Sequence, residues 1–124
     1  IIIEGQVDDE RYKYLHQHAD LFMFINIDQS WGLAVFEAMS CGLPVIVSES
    51  VGATEILTNN QNCIFVNPID EVAIGTNIEN LVNNKEKYIK ISNNASVFHK
   101  NWTWDKAYCE KEIGMIYPQM QKEI

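Results

Sequence analysis

The sequence predicts an α/β fold, a single parallel sheet with helices on both faces. Two observations lead there. Short apolar runs alternate along the chain with longer segments whose apolar residues recur at helical spacing. The short runs are also apolar throughout, rather than at every second residue, as expected of strands covered on both sides.

Taken in order, Ile1 to Ile3 reads as a buried strand ending at Gly5. Asp8 to Ala19 places Tyr12, Leu15 and His16 at helical spacing behind a first turn rich in acids. Leu21 to Ile25 is a second strand. Trp31 to Cys41 is a helix with apolar residues nearly all round, and Gly42 is placed to stop it. Leu43 to Val47 is a β-branched strand whose Pro44 falls where a missing N–H matters least. A short helix over Thr54 to Leu57 precedes a fourth strand, Cys63 to Val66, closed by Asn67-Pro68. Two helices follow, Asp70 to Asn83 and Lys85 to His99. Thr103 can N-cap a last helix from Trp104, which Pro118 kinks or ends. Right-handed crossovers wind this order into a Rossmann-like layer.

The chain has 124 residues, 47% of them hydrophobic and 21% charged, which fits one globular domain over residues 1–124. Its longest apolar stretch, Leu21 to Ile27, is far shorter than a membrane helix, and no leader or linker is visible. The chain opens on Ile1 instead of Met and reads as a piece of something longer. The net charge of −8 disfavours nucleic acid and anionic lipid as partners. The 3 cysteines, Cys41, Cys63 and Cys109, show no metal-ligand spacing and read as small buried hydrophobes in a reduced setting. The histidines His16, His18 and His99 read as surface or capping residues, without metal spacing or a nucleophile partner.

In an open parallel sheet ligands lie beyond the carboxyl ends of the strands. The polar loop Asn26 to Ser30 occupies such an end and feeds directly into the helix start Trp31-Gly32-Leu33. A helix N-terminus offers unpaired N–H groups and partial positive charge, and Gly32 lets an anion approach closely. An acidic domain can hold a diphosphate in this way. Glu37 is an acid on an otherwise apolar helix, so it is expected to face the cleft or to be paired there, where it could accept from a ribose diol. An edge glutamate reaching solvent is the plainer alternative. Gly52 and Glu55 form a second cluster, in which Glu55 has dipole stabilisation as its plainer role.

The run Ser30 to Val47, SWGLAVFEAMSCGLPVIV, resembles the signature of group 1 (family 4) glycosyltransferases, EGFGLxxxEAMACGxPVIxS. Gly52 to Leu57 is similar to that family's GGxxEII, Asn62 to Pro68 to its nGxLvxP, and Trp102 to Lys106 to its fSW element. Gly5 to Ala19 is similar to the helix that precedes them.

The resemblance implies the C-terminal half of a GT-B fold, the half that chiefly binds the nucleotide-sugar donor. It implies sugar transfer from a nucleoside diphosphate sugar to an acceptor hydroxyl, in glycan or polysaccharide biosynthesis, with no metal or other cofactor and with retained anomeric configuration. An N-terminal GT-B domain and the donor-phosphate Arg and Lys are expected before Ile1, so this fragment alone is expected to be inactive. Glu37 matches the second Glu of the E-x7-E motif, which binds the ribose hydroxyls. Gln29 stands at the first Glu, and Gln cannot stabilise positive charge developing near the anomeric carbon. Ser30 and Trp31 replace the common Gly-Phe, and Trp31, Gly32 and Leu33 match the segment whose backbone faces sugar and phosphates. Gln6 and Val7 match the loop near the base, and Gly52 and Glu55 match donor-binding positions. Val51 replaces a common Gly.

Two other readings stay open at this point, a non-catalytic module that kept the fold and a sibling GT-B epimerase or phosphorylase. The expected setting is cytoplasmic, with any membrane-face association carried by the missing part. The C-terminal helix is expected to pack on that part, or else to dimerise.

Overall fold

The computed structural model describes residues 1–27 and 31–101. The predicted Thr103 cap, the helix from Trp104, the Pro118 break and Cys109 lie outside the described residues, as do Gln29 and Ser30.

Three strands form a parallel sheet in the order β1-β2-β3: β1 Phe22–Phe24, β2 Val45–Ser48 and β3 Ile64–Val66. Phe22 pairs with Val45 and Ile46 with Ile64, so the register runs straight across the layer. Among the described residues four α-helices flank it: α1 Asp9–His18, α2 Leu33–Ser40, α3 Glu71–Asn83 and α4 Lys85–Asn101. The predicted short helix is a single 3₁₀ turn, Gly52–Glu55.

Alternation along β2 sorts the core into two halves. Val45 and Val47 face α2, packing with Val35, Ala38, Met39 and, from α4, Ala95. Ile46 faces the other way and packs with Ile64, Val66, Leu81 of α3 and Ile91 of α4. Helices therefore cover both faces, as the continuous apolar strands require.

The helix boundaries have local causes. Asp8 accepts from the Arg11 amide at 2.8 Å and Asp70 from the Ala73 amide at 3.0 Å, capping α1 and α3. Gly42, at φ +73°, ends α2 in the left-handed conformation that glycine favours.

Three expectations are corrected. Ile1 to Ile3 is not a strand: the three side chains are 121%, 86% and 91% exposed. A β-branched run needs a neighbouring strand, and among the described residues none pairs with it. His16 is neither a surface nor a cap residue, because α1 turns it inward, 5.7 Å from the Phe22 ring. Cys63 is buried as expected, whereas Cys41, at the C-terminal cap of α2, is exposed.

Candidate functional site

The carboxyl ends of β1 and β2 are tied together by two serines. Ser48 Oγ is buried, accepts from the Asn26 amide at 2.6 Å and donates to the Phe24 carbonyl at 3.2 Å. Ser50 Oγ donates to the Asn26 carbonyl at 2.9 Å. These bonds fix the point where the chain leaves the sheet toward residues 28–30. Reading the sequence missed both serines, since a strand-end serine carries no signal of its partner across the sheet.

The start of α2 follows. Gly32 is its N-cap, at φ +86° and ψ 50°, and among the described residues no side chain caps this helix start. That contrasts with α1 and α3, whose first amides are held by aspartates. A side chain at position 32 is excluded twice, because a Cβ there would lie 2.7 Å from Val51 Cγ1 and φ is already left-handed. The Ala53 amide donates to the Trp31 carbonyl at 2.9 Å, joining the 3₁₀ turn to this segment.

The predicted site residues are placed as follows. The Trp31 side chain is buried and its ring stands 5.9 Å from Phe36, so the indole belongs to the packing of α2. Leu33 is exposed at the first turn of α2, and Gly52 and the exposed Glu55 open and close the 3₁₀ turn. Gln6 is exposed, and Val7 lines a cavity of about 280 Å³ with Gly5, Tyr12, His16 and Leu43. A larger cavity of about 470 Å³, lined by Asp20, Leu21 and Tyr88 among others, sits at the amino end of β1, away from the end where ligands are expected.

Glu37 is exposed on α2, and its Oε2 accepts from the Tyr12 hydroxyl of α1 at 2.6 Å. Burial, helped by this bond and by the Glu37 charge, pushes the Tyr12 phenol up to about 12. Tyr12 therefore stays protonated and donating at any physiological pH. The Tyr12 ring rests 4.2 Å from the His16 ring, and the Tyr12 carbonyl lies 2.9 Å from His16 Nδ1. A carbonyl only accepts, so a neutral His16 carries its proton on Nδ1. Tyr12 was not singled out as a site residue in the sequence, because its partner lies 25 residues away. Among the described residues no cluster of three or more His, Cys, Asp or Glu could hold a metal ion, and no helix is long and apolar enough to cross a membrane.

The parallel sheet thus carries the start of α2 at its carboxyl edge, with the Glu37 carboxylate further along the same helix. The sequence profile of the family Glycosyl transferases group 1 matches residues 1–98. The chain belongs to that family. An uncharacterized glycosyltransferase of Methanocaldococcus jannaschii is 27% identical over 118 residues, covering 94% of this chain and 30% of the relative. Among solved structures, the C-terminal domain of a group 1 glycosyl transferase from Francisella tularensis superposes with a TM-score of 0.72 at 22% identity, covering 80% of this chain and 51% of that one. Anabaena HepE, solved in complex with UDP-glucose, superposes with a TM-score of 0.66 at 24% identity, covering 70% of this chain and 24% of that one. At such identities the likeness establishes the fold, that of GT-B glycosyltransferases. The chain spans less than a third of the length of the first curated relatives it matches.

Proposed function

We propose that residues 1–124 form the donor-binding domain of a glycosyltransferase that moves a sugar from a nucleoside diphosphate sugar to an acceptor hydroxyl. The observation that carries this reading is the uncapped start of α2 at the carboxyl edge of the sheet. Its amides and dipole suit a diphosphate, and they would stabilise the leaving diphosphate as the glycosidic bond breaks. Glu37 accepts from the ribose hydroxyls, and Gln29 takes the place of the family's donor-sugar Glu. Gln6 and Val7 lie by the base, while Ser30, Trp31, Gly32, Leu33, Gly52 and Glu55 surround sugar and phosphates. That HepE was solved with UDP-glucose supports a nucleotide sugar as ligand of this fold.

The wider expectations belong to the same reading. The parent protein works without metal or other cofactor, retains anomeric configuration, and serves glycan or polysaccharide synthesis on the cytoplasmic side. An N-terminal GT-B domain supplies the acceptor site and further cations.

Calorimetry tests the ribose role. Glu37→Ala should weaken nucleotide binding by about tenfold, the scale of a lost hydrogen bond to a charged group. Unchanged affinity would overturn it. A second reading, a binding module without turnover, is favoured by Gln29, which cannot carry the charge of the family's Glu. Transfer by the parent protein with its natural Gln29 would exclude that second reading.

A further inference from the structure

We infer that Tyr12 is the positioning residue of the ribose site: its hydroxyl holds the Glu37 carboxylate in the orientation that receives a vicinal diol. The inference rests on the ribose role proposed above and adds the group that makes Glu37 selective.

The geometry supports it from three sides. Tyr12 donates to Oε2 of Glu37 at 2.6 Å, a short charge-assisted bond between two different helices. A carboxylate accepts at about four lone-pair positions, so one bond from Tyr12 leaves Oε1 and part of Oε2 for two further donors. A ribose diol brings two. Glu37 is exposed and its carboxylate accepts from no other side chain among the described residues, so without Tyr12 its torsions would be free and would have to be frozen on binding. Tyr12 is itself anchored. Its ring lies against that of His16, and His16 is 9% exposed and faces Phe22 of β1. A line of contact therefore runs from the sheet through His16 and Tyr12 to Glu37.

The bond also tunes chemistry without moving charge. Tyr12 remains a neutral donor and occupies one acceptor position of the Glu37 carboxylate. Its remaining lone pairs recognise hydroxyls and discriminate against a sugar that lacks one.

The test is calorimetry of this chain with UDP, GDP and ADP, each beside its 2′-deoxy form. Tyr12→Phe keeps the ring, the His16 contact and the helix, and removes only the hydroxyl. It should weaken the preferred ribonucleotide by about three- to tenfold and shrink its preference over the deoxy form by a similar factor. Glu37→Gln should shrink that preference further, and adding Tyr12→Phe to it should cost less than about twofold more, since the two residues act as one unit. A purely structural Tyr12 would weaken both nucleotide forms equally and leave the ratio intact. An intact ratio in Tyr12→Phe, with loss in Glu37→Gln, overturns the positioning role alone. An intact ratio in Glu37→Gln overturns the ribose role beneath it. No binding of any nucleotide by the unaltered chain overturns both.

Discussion

The two helices that meet at the Tyr12–Glu37 bond are built in opposite ways. Helix α2 has no capping side chain among the described residues and no acid in its first turn, and it buries Val35, Ala38 and Met39 completely. Helix α1 is capped by Asp8, carries Asp9 and Glu10 in its first turn and His16 and His18 in its last, and buries only His16. Helices this short are marginal by themselves. Burial is therefore what holds α2, whereas α1 has a thinner buried face and depends relatively more on its cap and end charges. The difference bears on function. Because packing secures α2, its first turn holds without a side-chain cap from the described residues. Because α1 is held more lightly, it can supply a side chain that adjusts a carboxylate on its neighbour.

The contrast can be broken most sharply in α2. Met39→Ala should cost about 3 kcal/mol of unfolding free energy in a urea titration, since a buried methionine leaves a cavity behind. A loss under about 1 kcal/mol would mean that packing does not hold this helix. Gly32→Ala should cost about 2 kcal/mol, from its left-handed φ and its clash with Val51. Adding Val51→Ala should recover part of that loss. Simple additivity of the two would refute the clash. In α1 the largest local loss should come from the cap, with Asp8→Ala costing about 1 kcal/mol. A cost as large as that of Met39→Ala would erase the distinction between the helices.

High pH offers a smaller and independent handle. Burial pushes the Cys63 thiol from its ordinary 9.0 up to about 12, and Tyr12 rises from 10.0 to about 12. The unfolded chain releases these protons first as pH rises, so the folded state holds more of them and stability falls between about pH 9 and 12. Cys63→Ala should flatten the start of that fall, and Tyr12→Phe the part above about pH 10. Equal slopes in all three proteins would show that neither group is linked to folding.

Much of this was legible in the sequence where the signal is local. Asp8 and Asp70 announced helix starts, Gly42 announced a stop, and Val45 to Val47 read as a strand buried on both faces. The order of elements and the group 1 motif together placed the chain in its family. What failed depended on distant partners. Ile1 to Ile3 has strand composition, but composition cannot say whether an edge is there to receive it. Cys41 and Cys63 look alike in the sequence, but the end of α2 leaves Cys41 exposed while Cys63 lies in the core. Gly32 was read as room for an anion, but the space where its side chain would stand is filled by Val51, 19 residues further on in the sequence. Tyr12 and Glu37 were each visible on a helix, but their bond was not, because nothing in either helix encodes how the two pack.

The central claim, that this domain holds a nucleoside diphosphate through the start of α2 and Glu37, is tested most directly by ligand-detected NMR. Saturation transfer would be measured from the chain to UDP, GDP, ADP and their common sugar conjugates, before and after Glu37→Ala. The account predicts transfer to the ribose protons of one nucleotide and its loss in the variant. Equal transfer in both proteins, or silence from every nucleotide, would contradict it.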